Sequence, residues 1–156
     1  MSKVYSIKTV QLIAAEMADV WNFFSTAHNL EKITPPGMRF TIIGGHHTEQ
    51  IYAGQIIEYK VRPVLDIPLY WMTEITHVEH EKYFVDEQRF GPYTLWHHQH
   101  HFKEVPGGVE MTDVVHYKIP FWFLGDMAHA LYVRKKLQQI FLYREKKIGE
   151  IFRHQV

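Results

Sequence analysis

Between Trp96 and Phe102 the chain reads Trp-His-His-Gln-His-His-Phe, a run that places four imidazoles on one short segment. An imidazole can accept and donate protons near neutral pH, ligate a metal, or hold a carboxylate by hydrogen bonds. Which of these it does depends on what faces it. On a strand, side chains alternate, so Trp96, His98, His100 and Phe102 share one face and His97, Gln99 and His101 the other. The face carrying Trp and Phe should turn inward and take His98 and His100 with it, leaving His97 and His101 outside.

The partners come from the neighbouring strands. If the chain reverses at Gly91-Pro92, Asp86 lies close to opposite His98, with Gln88 near Trp96. If it reverses again over Pro106-Gly107-Gly108, His100 falls opposite Asp113 and Trp96 opposite Tyr117. A register slip of two would move these pairs diagonally, and only a slip of one would turn the face over. Tyr59, Trp71 and Thr73 join the same face from earlier strands. The expected ligand-binding set is therefore Tyr59, Trp71, Thr73, Asp86, Gln88, Trp96, His98, His100, Phe102, Asp113 and Tyr117.

Three uses of this polar row stay open. Asp86 with His98, and His100 with Asp113, could be structural ties, since a buried carboxylate is costly unless paired. The row could orient the polar end of an organic molecule whose apolar body lies on Trp71, Trp96 and Phe102. It could also do chemistry: an aspartate-supported histidine as general base, drawn from His98, His100, Asp86 and Asp113, with Tyr117 donating to a developing oxyanion. His-x-His on a strand also points two imidazoles one way, as some metal sites require, with Asp86 or Asp113 as a hard ligand. There is no third histidine at a motif spacing, no nucleophile elbow and no phosphate loop. No metal and no cofactor are expected.

The elements that must position this row follow from periodicity. Val4 to Ile13 alternates as a first strand, and its change from odd to even apolar positions suggests a bend or bulge. Met17, Val20, Trp21 and Phe24 recur at helical spacing. Ser25 and Thr26 are placed to cap a second short helix through Asn29, Leu30 and Ile33, which Pro35-Pro36 ends. Six strands are expected over Phe40 to Ile43, Gly54 to Arg62, Leu69 to Val78, Tyr83 to Phe90, Tyr93 to Glu104 and Val109 to Ile119. Leu124, Met127, Leu131, Leu137, Ile140, Phe141, Ile148 and Ile151 then mark a helical face about 40 Å long at ~1.5 Å per residue. The fold class is α+β: a curved antiparallel sheet of about seven strands, two short helices after strand 1, and a long C-terminal helix across the concave face. A straight helix and a curved sheet cannot touch along their whole length, so a hollow is expected between them.

The order strand, two short helices, six strands, long helix resembles the helix-grip or START-like superfamily, which includes the birch pollen allergen, lipid-transfer domains and polyketide cyclases. More narrowly, Val20-Trp21-Asn22-Phe23-Phe24, Ile33-Thr34-Pro35-Pro36, Trp71, Asp86-Glu87-Gln88, Gly91-Pro92-Tyr93, Trp96 with His98 and His100, Asp113 and Tyr117 look like bacterial SRPBCC-type ligand-binding proteins. The resemblance runs from about residue 4 to 152 and implies the helix-grip fold with an internal cavity. It implies binding, or transport, of a hydrophobic or aromatic small molecule such as a lipid. The alternative is an enzyme of polyketide cyclase, dehydratase or hydrolase type. Fold alone does not choose between them.

Composition sets the remaining bounds. The 156 residues suit one ligand-binding domain over 1–156, and 15% aromatic content is rich for that size. Lysine plus arginine equals aspartate plus glutamate at 17 each, which gives no pull toward nucleic acid. No apolar run approaches the roughly 20 residues of a membrane span, so no integral membrane association is expected. The absence of cysteine excludes disulfides and thiolate chemistry within this chain and, with no secretory signal pattern, suggests a cytoplasmic setting. His46-His47 reads as a solvated loop. Phe121-Trp122-Phe123 reads as a plug at the core's end, or a rim that meets a ligand, a membrane surface or a second subunit, so a homodimer stays open. Arg134-Lys135-Lys136 and Arg144-Glu145-Lys146-Lys147 read as the wet face of the long helix.

Overall fold

The order of apolar and turn residues is realised as β1 (Tyr5–Ile13), α1 (Met17–Phe24), α2 (Asn29–Lys32), β2 (Thr41–Gly44), β3 (Ile56–Val61), β4 (Leu69–Glu79), β5 (Tyr83–Phe90), β6 (Leu95–Val105), β7 (Gly108–Lys118) and α3 (Asp126–Arg153). A single 3-10 turn, Pro36–Met38, follows α2. The computed structural model describes residues 3–44, 50–62, 66–120 and 126–153, the last stretch with side chains from 131 onward. His46, His47 and the Phe121 to Phe123 edge lie outside the described residues, as do Leu124 and the Met127 side chain.

The strands form one antiparallel sheet in the order β1-β7-β6-β5-β4-β3-β2, so the first strand pairs with the last. That places β5, β6 and β7, which carry the polar row, side by side in the sheet. The β5–β6 and β6–β7 registers pair Asp86 with His98, His100 with Asp113, and Trp96 with Tyr117. Two irregularities in the β4–β5 ladder, at Met72/Thr73 and at Ile75/His77, flank Asp86 and bend the sheet there.

Three local expectations are corrected. β1 pairs with β7 without any register shift from Tyr5–Tyr117 to Ile13–Val109. Val10 and Leu12 are exposed on its outer face, so their apolar character marks no bulge. Ser25 and Thr26 do not cap α2: Ser25 terminates α1, Thr26 Oγ1 donates back to the Asn22 carbonyl, and α2 begins after His28. Leu131 is 64% exposed, because Lys135 and Gln138, one and two turns on, belong to the solvent side of α3.

The 28 residues of α3 span about 42 Å at ~1.5 Å per residue. Among the described residues of α3, Leu137, Phe141, Ile148 and Phe152 are buried, spaced by four, seven and four. They belong to two separate apolar clusters. Ile148 and Phe152 pack with Trp21, Phe24, Phe84, Phe102 and Met111 at the α1 end. Leu137 and Phe141 pack with Val115 and Tyr117 further along. Among the described residues no helix is long and apolar enough to cross a membrane.

Candidate functional site

Inward alternation on β6 buries His98 and His100 to 4% exposure each, with ring centroids 3.7 Å apart. Asp86 on β5 and Asp113 on β7 flank them. Although the backbone register sets each histidine opposite one aspartate, the hydrogen bonds run diagonally. His98 Nε2 lies 2.8 Å from Asp113 Oδ1, and His100 Nε2 lies 2.7 Å from Asp86 Oδ2. The remaining nitrogens complete the ring: His100 Nδ1 is 2.9 Å from Asp113 Oδ1 and His98 Nδ1 is 3.5 Å from Asp86 Oδ2. The 2.9 Å contact is too far off line to be a hydrogen bond, so it acts as a close ionic contact.

Charge follows from this geometry. Burial would raise the Asp113 carboxyl, but the close His100 ring, 2.9 Å away, and the hydrogen bond from His98 reverse this and hold it well below the usual carboxylate range. Burial likewise acts to raise Asp86, and the neighbouring His98, His100 and Arg144 bring it below its ordinary value. His98 is pushed down by burial and by the adjacent His100. His100 is pushed up despite burial, because both carboxylates hold its protonated form. The two imidazoles are thus displaced in opposite directions, His100 toward its protonated form and His98 toward its neutral form. The 2.8 Å contact assigns the His98 proton to Nε2, leaving its Nδ1 lone pair toward Asp86.

Asp86, His98 and His100 form part of the wall of a cavity of about 820 Å³ between the sheet and α3. The rest of that wall is overwhelmingly apolar, with Trp71, Trp96, Phe40, Leu137 and Phe141 among the residues that shape it. Tyr59 hydroxyl and Thr73 Oγ1, 2.6 Å apart, add a second polar point. Burial, and Asp86 beside it, push the Tyr59 phenol far up, so it stays protonated. Trp71 and Trp96 stand nearly perpendicular, 5.4 Å apart.

Of the residues expected to bind a ligand, Tyr59, Trp71, Thr73, Asp86, Trp96, His98 and His100 line the cavity. Gln88, Phe102, Asp113 and Tyr117 do not. Gln88 is occupied by the β5–β6 turn, donating to the Tyr93 carbonyl at 2.6 Å and accepting from its N–H at 3.2 Å. Phe102 packs edge-on against Trp21, 5.5 Å away, inside the α1-end core. Tyr117 stacks on Tyr5 at 5.6 Å and is fully buried, which removes it as an oxyanion donor in the cavity. Asp113 stands behind the two imidazoles. His97 is tied to Glu87 at 2.5 Å, and His101 Nε2 donates to Gln99 Oε1 at 2.9 Å, both on the opposite face of β6.

Two cations that read as surface residues, Lys136 and Arg144, also line the cavity. Arg144 lies over the Phe141 ring at 5.4 Å. The signal was present in the spacing: Arg144 is one turn from both Ile140 and Ile148, on the stripe that faces the sheet. Reading the charge run as a unit hid it.

The sequence matches no family model and no curated protein. Solved structures do match in fold. The di-domain ARO/CYC StfQ from the steffimycin biosynthetic pathway superposes with a TM-score of 0.74 at 10% identity, covering 97% of this chain and 52% of that one. Protein Ms6760 from Mycobacterium smegmatis gives 0.70 at 16% identity, with 99% of each chain covered. The major latex-like protein 151 of Panax ginseng gives 0.66 at 12% identity, covering 96% and 97%. With a seven-strand antiparallel sheet, paired short helices after β1 and a long C-terminal helix against the inner face, the chain has the α+β helix-grip fold that it shares with these structures.

Proposed function

We propose that this protein, acting as one ligand-binding unit, binds a hydrophobic or aromatic small molecule in the cavity between the sheet and α3. The observation that carries this reading is the contrast within one wall: about 820 Å³ of almost wholly apolar space against which a few buried polar groups converge. The apolar body of the ligand lies between Trp71, Trp96 and the Leu137–Phe141 turn of α3. Its polar end meets Asp86, His98 and the Tyr59–Thr73 pair, with Arg144 opposite. Fold likeness to a major latex-like protein and to an aromatase/cyclase domain is consistent with such a cavity being used.

The test is titration of the full chain with anilinonaphthalene sulfonate, followed by its emission and by native mass spectrometry. One probe per chain is expected in the wild type, and Leu137→Trp, which pushes an indole into the cavity, should weaken binding at least tenfold while circular dichroism is unchanged. Binding as tight in Leu137→Trp as in the wild type would sink the reading.

A cyclase-type role is the second reading, favoured by the neutral His98, whose Nε2–H is held by Asp113 while its Nδ1 is turned to the Asp86 side. That is the arrangement of a carboxylate-oriented general base. In such a reaction Tyr59, which lines the cavity and is hydrogen-bonded to Thr73, takes the place expected for Tyr117, which does not line it.

A further inference from the structure

The four-residue ring has two unlike sides. Asp113 sits behind, and a single oxygen of it takes the far nitrogens of both imidazoles: His98 Nε2 at 2.8 Å and His100 Nδ1 at 2.9 Å. On the other side, the near nitrogens, His98 Nδ1 and His100 Nε2, converge on Asp86 Oδ2 at 3.5 and 2.7 Å. Only this second side belongs to the cavity wall, since Asp86, His98 and His100 line it and Asp113 does not.

Two imidazole nitrogens and one carboxylate oxygen on one small face are the donor set that a first-row divalent cation takes. With metal–ligand bonds of about 2.0–2.2 Å, neighbouring donors stand roughly 3.0–3.5 Å apart. The two contacts to Asp86 Oδ2 bracket that span, and one donor atom from each of the three residues lies within 4.8 Å of the others. Two imidazoles with one carboxylate, open on the remaining side, is the facial arrangement of non-haem iron(II) sites and is close to that of catalytic zinc. Asp113 completes it, because a metal-bound histidine ordinarily passes its other ring N–H to a carboxylate that fixes its orientation. The two carboxylates of the ring also balance a divalent charge in a buried place. Spacing along the chain gave no third histidine; the third donor comes instead from across the β5–β6 hairpin.

We propose that Asp86, His98 and His100 form a binding site for a divalent first-row transition metal, zinc or iron(II), which displaces to solvent the proton held between His100 Nε2 and Asp86 and has its open position facing the cavity, with Asp113 behind both imidazoles. The site does not depend on the cavity taking an organic molecule, and the probe titration above can succeed or fail independently of it.

The test uses cobalt(II) as a spectroscopic stand-in, added to the full chain after chelator treatment. One equivalent should give d–d absorption bands distinct from aqueous cobalt. The proton spectrum should show two hyperfine-shifted exchangeable ring protons, one per imidazole. Asp86→Asn and His100→Gln should lose the bands, and the double variant His97→Gln with His101→Gln should keep them. Asp113→Asn should keep the bands with affinity lowered about 10–100-fold. Bands that persist in Asp86→Asn and His100→Gln, or that vanish in the His97/His101 double variant, overturn the proposal. So does wild-type protein showing no bands or no shifted imidazole protons, a result that holds even if the variants fail to fold.

Discussion

At the scale of single residues, the informative fact is that two histidines two positions apart, both buried and in ring contact, have their pKa values displaced in opposite directions. In metal-free protein, ring-nitrogen NMR should therefore show His100 titrating above the ordinary histidine value of about 6.5, and His98 below it. The two have opposite signs in stability. His100, raised in the fold, contributes stability that is present below the unfolded value and is lost as pH rises through its native pKa. His98, lowered, makes the fold less stable as pH falls below the unfolded value, because only the unfolded chain then takes up the proton. Coincident titration of both rings near the ordinary value would refute the assignment. The residue types, the face and the opposite pairing were legible in the sequence, because a two-residue period and two hairpin turns determine them. The diagonal hydrogen bonds were not, since they depend on side-chain rotation that leaves no mark in residue order.

At the scale of elements, the turns carry the registers. Gly108, the first residue of β7, has φ of +140°, and a Cβ there would lie 2.0 Å from the Ile13 carbonyl oxygen at the end of β1. No side chain fits against that backbone. Gly108→Ala should lower stability by more than about 2 kcal/mol in urea denaturation. Gly37→Ala, where no atom lies within 4 Å of the added carbon, should stay within about 0.5 kcal/mol. Equal effects at both sites would contradict the steric account. The strand order and the long helix could be read because each element buries a periodic face. The capping of α2 could not, because Thr26 uses its hydroxyl on the helix before it. Charge clusters misled for a related reason: Arg144 belongs with Ile140 and Ile148 by helical angle, although it sits beside Glu145 and Lys146 in sequence.

At the scale of the molecule, some buried apolar side chains line the hollow and others pack away from it. A substitution should cost different amounts in the two. Ile148, buried in the α1-end cluster and absent from the cavity wall, leaves a closed void when truncated, and Ile148→Ala should cost about 3–5 kcal/mol. Leu137 is almost equally buried but lines the cavity, so Leu137→Ala only enlarges space already there and should cost about 2–3 kcal/mol. Denaturant midpoints with unchanged m-values measure this; a Leu137→Ala cost equal to or above that of Ile148→Ala would show that the wall is packed like the core. The perpendicular indoles of Trp71 and Trp96 have a separate consequence. Both border the hollow, and Trp96 meets the His98 ring at 6.2 Å. Excitation absorbed by either indole can pass to its neighbour 5.4 Å away, and the emitted colour reports the polarity of what borders the pair. A molecule entering the hollow would therefore change, without any label, the brightness and wavelength of emission from these two of the chain's four tryptophans.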